Sequence, residues 1–146
     1  VGDLRKDVLP ENTYDLITRH MVDEHLDNQG LLEVSKNTLN ALKPGGTLVV
    51  VFTHPDKITA SSGIDKEGWF ETTFPWKGPS GDFEKGQNYF RPIESYIKVL
   101  KEAGFVIDSV EDWKISPEAE TVDKDEYEKY KKYGNIRLAV KAHKPG

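Results

Sequence analysis

Thr18, Arg19 and His20 place a hydroxyl, a guanidinium fork and an imidazole side by side, directly after the short stretch Tyr14-Asp15-Leu16-Ile17. In an open α/β sheet, residues at the carboxyl end of a strand line the crevice where ligands bind. An imidazole can take a proton from a hydroxyl or amine nucleophile near neutral pH, which makes His20 a candidate base; alternatively it hydrogen-bonds the backbone where the next helix begins. Arg19 can grip a carboxylate of a cofactor or substrate in a bidentate fork, or form a surface salt bridge with Asp23 or Glu24. His54, before Pro55 at the end of a second apolar run, faces the same crevice and is a substrate-contact candidate. His25 suits a packing or capping role. The three histidines match no common metal-ligand spacing, and the acids beside them suit a helix start, so no metal site is expected.

These residues need a scaffold, and the chain supplies its pattern. Residues 14–18 follow the turn-forming Pro10-Glu11-Asn12-Thr13 and read as a strand in a sheet interior. Leu32, Leu39 and Leu42 recur at helical spacing over residues 28–43, with Leu31 and Val34 beside them, and Lys43-Pro44-Gly45-Gly46 supplies the stop. Residues 47–52 are apolar on both faces and mostly β-branched, as in a parallel strand covered by helices on two sides. Strand, helix and strand in that order imply a right-handed crossover. From His54 to Phe90 the periodicity disappears and the composition turns to glycine, proline, serine and aromatics, the pattern of a long loop. Pro92 opens a helix that carries Ile93, Tyr96, Ile97 and Leu100 and ends at Gly104. A strand over residues 105–110, a charged surface helix within 117–135 and an alternating strand over 136–142 complete the order. A single domain, residues 1–146, is expected, with 55–90 as a substrate lid inserted in it.

Composition removes several classes of function. A net charge of −5 with interspersed signs leaves no basic stripe for nucleic acid. The chain has no cysteine, so disulfides and thiolate metal sites are excluded, which fits a cytoplasmic protein. No apolar run is long enough to span a bilayer, so no membrane contact is expected.

The series Gly2-Asp3-Leu4, Leu9-Pro10, Tyr14-Asp15-Leu16-Ile17-Thr18, Asp23-Glu24-His25-Leu26 and Leu42-Lys43-Pro44-Gly45-Gly46-Thr47-Leu48-Val49-Val50 resembles the small-molecule class I S-adenosylmethionine-dependent methyltransferases. Arg91-Pro92-Ile93-Glu94-Ser95-Tyr96, Leu100 and Ala103-Gly104-Phe105 resemble the same family's helix and strand before its antiparallel terminal hairpin. The resemblance implies a Rossmann-like α/β sheet in which residues 14–18 are the fourth strand, 47–52 the fifth, and 105–110 with 136–142 the terminal hairpin. It implies S-adenosyl-L-methionine as cofactor, with Asp3 accepting from the adenine amino group, the Leu4 backbone beside the ring, and Thr18, Arg19 and His20 toward the same ligand. His20 would be the catalytic base. His54, Trp69, Phe70, Trp76, Tyr89 and Arg91 would meet a small-molecule acceptor, with the aromatics closing a lid; alternatively they form a small core that buries the insertion.

The family's first strand, glycine-rich turn and ribose-binding acid have no counterpart among these residues, so the first βαβ units are expected upstream of Val1. A fourth strand without its neighbour leaves an open backbone edge. A second copy of the chain or a complementing chain is the expected partner there. Two other functions remain open at this point: a non-catalytic scaffold that keeps the fold, and another Rossmann-like enzyme. The identity of the methyl acceptor is not legible.

Overall fold

The computed structural model describes residues 2–146. Strand β1 (Tyr14–His20) leads through a 3-10 turn (Asp23–His25) into helix α1 (Asn28–Ala41) and strand β2 (Leu42–Thr53). Helix α2 (Pro55–Ser62) and the hairpin β3 (Gly68–Lys77) and β4 (Phe83–Phe90) come next, then helix α3 (Ile93–Ala103) and strand β5 (Val106–Lys114). Helices α4 (Ala119–Val122) and α5 (Lys124–Tyr130) precede the last strand, β6 (Asn135–His143).

The main sheet has the order β1-β2-β6-β5. β1 and β2 are parallel, with Ile17 opposite Leu48 and Arg19 opposite Val50. β6 runs antiparallel to both of its neighbours, β2 and β5. Residues 14–18, 47–52, 105–110 and 136–142 therefore take the expected places, and the last strand lies between the second and third as a terminal hairpin requires.

One face of this sheet carries the core. Leu48, Val50 and Phe52 of β2 and Leu138, Val140 and Ala142 of β6 point to it, against Leu31 and Val34 of α1 and Tyr96, Val99 and Leu100 of α3. α1 starts where Asp27 accepts a hydrogen bond from the Gly30 N–H at 2.7 Å, satisfying one of the free donors of the first turn. α3 ends at Gly104, whose φ of +112° is a left-handed conformation that a side chain would resist.

Five expectations change. α1 stops at Ala41, before the Pro44-Gly45-Gly46 turn, because Leu42 already pairs with Tyr14 across the sheet. β2 is covered by helices on one face only: Leu48 and Val50 are buried, whereas Val49 and Val51 are half-buried on the other face. β1 is an edge of the sheet among the described residues, with Leu16 54% exposed, not an interior strand. The stretch taken for a loop is α2 plus a hairpin in which Phe70, Thr72 and Phe74 alternate inward. Its alternation is hidden because Trp69, pointing outward, is as apolar as its inward neighbours. The charged helix is split at Asp123, whose carboxylate accepts from the Glu126 N–H and so starts α5 anew.

Candidate functional site

The turn after β1 is built on buried charge. Met21 takes a left-handed φ of +56° and its N–H bonds the Val51 carbonyl at 2.8 Å, which ties the end of β1 to β2. Asp23 then enters the core with no exposed surface. Its Oδ2 accepts from Arg19 Nη2 at 2.8 Å and from the Tyr96 hydroxyl at 2.5 Å. Arg19 also reaches Ser35 Oγ and Thr38 Oγ1 of α1. Burial and the neighbouring Asp23 carboxylate hold the Tyr96 hydroxyl well above the usual phenol range, so it stays a donor to that carboxylate. From the other side Arg91 donates through Nη2 to the Leu26 carbonyl and through Nε to Asn28 Oδ1, both at 2.6 Å, while its guanidinium lies 4.7 Å from the centre of the Tyr89 ring. The turn is thus fixed to α1, α3 and β4 together.

Beyond the carboxyl ends of β1 and β2 this turn opens on a cavity of about 360 Å³. Glu24 and His25 reach it from the turn, Thr53 from β2, Lys57 from α2 and Arg137 from β6. Thr72, Phe74, Trp76 and Asn88 close it from the hairpin. Phe74 and Trp76 are stacked, with centroids 4.4 Å apart and planes within 4°, and the edge of the His25 ring meets Phe74. Phe74 can lie this low because it rests on Gly86, where a Cβ would come within 2.5 Å of its ring. An aromatic wall with a few convergent polar groups is the usual make-up of a small-molecule site.

Glu24 is the unusual group in this wall. It is 6% exposed, and its Oε2 is buried with no hydrogen-bond partner. Burial pushes its carboxyl above the ordinary value of 4.5, opposed by a hydrogen bond from its own backbone N–H and by His25 and Arg137, with Asp23 adding to the rise. A carboxyl raised in the folded state stabilises the fold below its ordinary pKa, and that contribution is lost as pH rises through the folded pKa. The thermal midpoint of the chain is therefore expected to lose this contribution as pH rises above the ordinary carboxyl value of 4.5, and Glu24→Gln to remove that part of the slope. Midpoints measured over this rise in pH for both proteins check it; parallel curves would contradict it.

The structure disperses the residues expected from sequence. Arg19 turns into the core and its fork is used by Asp23, so it is a buried brace and offers nothing to a ligand. The anticipated Asp23 partner is right, but the pair is internal and not at the surface. His20 and Thr18 point to the opposite, exposed side of β1, and neither lines the cavity. His54 is buried at the start of α2: its Nδ1 accepts from the Asp56 N–H at 3.0 Å and its Nε2 meets Asp112 Oδ1 at 2.7 Å, which makes Nε2 the protonated nitrogen and leaves neither free for a substrate. Asp3 lies in an exposed turn where Arg5 grips its carboxylate and holds it below the usual range; Leu4 beside it is 43% exposed. Trp76 does line the cavity. Trp69 meets Tyr89 edge-on outside it, Phe70 borders a separate groove, and Tyr89 and Arg91 lie behind Glu24. The cavity residues not anticipated include Glu24, Thr53, Lys57, Thr72, Asn88 and Arg137. Asp23-Glu24 before an apolar helix reads simply as first-turn acids, so nothing in the sequence marks Glu24 as buried. Among the described residues no cluster of three or more potential ligands could hold a metal, and no helix is long and apolar enough to cross a membrane.

Neither a family model nor a curated protein matches the sequence. Solved structures do match its fold. An S-adenosylmethionine-dependent methyltransferase from Mesorhizobium loti is 18% identical, with a TM-score of 0.69 over 98% of this chain and 68% of its own. A proposed methyltransferase of the same kind from Listeria monocytogenes, also 18% identical, gives 0.74 over 99% and 68%. One from Methanosarcina mazei, 16% identical, gives 0.68 over 99% and 65%. The chain therefore has the class I methyltransferase fold and spans about two thirds of the length of these structures. At such identities the likeness is one of fold, and fold by itself does not assign an activity.

Proposed function

We propose that this chain carries the acceptor-binding side of an S-adenosylmethionine-dependent methyltransferase acting on a small molecule in the cytoplasm. The observation that carries this reading is the cavity at the carboxyl ends of β1 and β2, the end of an α/β sheet where ligands collect. It is walled by aromatics and closed by the hairpin, which lies within the 55–90 insertion and serves as the lid that excludes water from the reacting groups.

S-adenosylmethionine supplies an electrophilic methyl group when bound. The residues present fit one flank of such a ligand. Thr18 and His20 are exposed at the free edge of β1, and Asp3 with Leu4 forms an exposed turn before it. Arg19 does not fit, since its guanidinium is enclosed. A full grip on the ligand needs further backbone beside β1, and the edge of β1 that is unpaired among the described residues offers the place for it. What this chain's own residues contribute is orientation: holding an acceptor in line is worth up to about 7–11 kcal/mol of barrier, and a proton acceptor adds less.

A thermal-shift comparison tests the donor assignment. S-adenosylhomocysteine in about hundredfold excess over its dissociation constant should stabilise the protein by about 2.7 kcal/mol, and NAD should not. A shift with NAD alone would contradict a methyl donor and favour another Rossmann-like enzyme.

A further inference from the structure

Building on that reading of the cavity, we infer that it takes a planar aromatic acceptor bearing an anionic group and a ring O–H or N–H, with Glu24 receiving the hydrogen bond from the latter. Three observations converge on this chemistry. The stacked pair Phe74 and Trp76 presents a flat wall, and Trp76 is still 55% exposed, so the ring that would complete the stack is absent from the protein itself. Lys57 and Arg137 bring two positive charges to the same space, against the single carboxyl of Glu24. Two buried acceptor atoms, Glu24 Oε2 and Asn88 Oδ1, have no donor.

A buried acceptor left without a donor is costly, and such groups are normally satisfied. The other space touching Glu24, between Phe52, Tyr89 and Arg91, measures about 10 Å³. That is at the lower limit for one water. The donor missing from Glu24 is therefore expected from the larger cavity. An amine cation is disfavoured by Lys57 and Arg137, and a purely apolar ligand would leave both acceptors unpaired. An aromatic acid with a ring hydroxyl or amino group satisfies the wall, the charge and the acceptors at once.

The test uses 4-hydroxyphenylacetate, its 4-methoxy ether and neutral 4-hydroxyphenylacetamide, titrated into the whole chain and followed by tryptophan fluorescence. The hydroxy acid is expected to saturate, and the amide to bind more weakly for want of charge. Glu24→Leu should weaken the hydroxy acid by about tenfold, the loss of one charge-assisted hydrogen bond, and leave the methoxy acid unchanged. The same variant should melt no lower than the parent chain, because it removes a buried carboxyl whose Oε2 has no partner. A merely structural Glu24 would give the reverse, a lower midpoint with unchanged probe affinity, and would overturn the inference. So would failure of the parent chain to bind the hydroxy acid. Should Glu24→Leu fold poorly, Glu24→Met keeps the length of the side chain without a strong acceptor, and an undiminished affinity there is equally fatal. S-adenosylhomocysteine titrated into the same proteins separates the two levels. If it is silent while probe binding depends on Glu24, the methyl-donor reading fails and the aromatic-acid site stands.

Discussion

Replacing Asp23 by alanine is expected to destabilise the protein by about 3–5 kcal/mol, the cost of breaking a buried ion pair from one side. Asp23 is fully enclosed and, among the described residues, is the only carboxylate bonded to Arg19, whose side chain is 3% exposed among α1 and the sheet. Removing it leaves a guanidinium in the core with Ser35 and Thr38 as its remaining partners among the described residues and takes the acceptor from the Tyr96 hydroxyl. A loss of this size is a large share of the total for a domain, about 5–15 kcal/mol. The penalty belongs to the orphaned charge, so Asp23→Ala should cost much less in an Arg19→Met, Tyr96→Phe background, where the remaining network is apolar. Urea unfolding of the single and combined variants measures both quantities. A single-variant cost below about 1 kcal/mol would mean that Arg19 finds other acceptors or water. The turn that carries Glu24 and His25 stands on this pair, so the change should also loosen the cavity wall.

The second large effect is expected at Arg91. Alanine there should cost about 2–4 kcal/mol, since one side chain donates to the Leu26 carbonyl and to Asn28 and stacks on Tyr89. Lysine should recover little of it, because an ammonium lacks the planar fork that reaches both acceptors and lies against a ring. Burial lowers the Arg91 pKa, yet a guanidinium remains charged over any accessible pH, so the effect should not depend on pH near neutrality. Chemical unfolding of Arg91→Ala and Arg91→Lys checks the order. A lysine variant as stable as the parent would show that charge alone, not fork geometry, holds the hairpin to the turn.

The sheet was legible in the sequence because its signals were local. The Leu32, Leu39 and Leu42 spacing, the apolar run 47–52, the Gly104 stop and the alternation of Ile136 to Ala142 give element type and order without knowledge of partners, although it is Leu31 and Val34, and not Leu32 and Leu39, that lie on the fully buried face of α1. The hairpin was not, since Phe70, Thr72 and Phe74 alternate with an outward Trp69 and the period is masked. The site was harder still. Arg19 and His20 are neighbours in sequence but point to opposite faces of β1, and only the register of β1 on β2 says which is buried. His54 looks like a ligand-facing residue at a strand end, yet the capping need of α2 and the carboxylate of Asp112, which lies 58 residues further on, claim both nitrogens. Arg137 meets Glu24 at the cavity only through the order β1-β2-β6, which no local pattern records.

The most direct measurement is a calorimetric titration with S-adenosylhomocysteine, made with light scattering on the same sample to follow pairing at the β1 edge. The species in which that edge is paired should give a saturable heat with a micromolar dissociation constant, about 8 kcal/mol of binding free energy. No heat at millimolar ligand in any assembly state would contradict the methyltransferase assignment and leave a scaffold that keeps the fold without its donor.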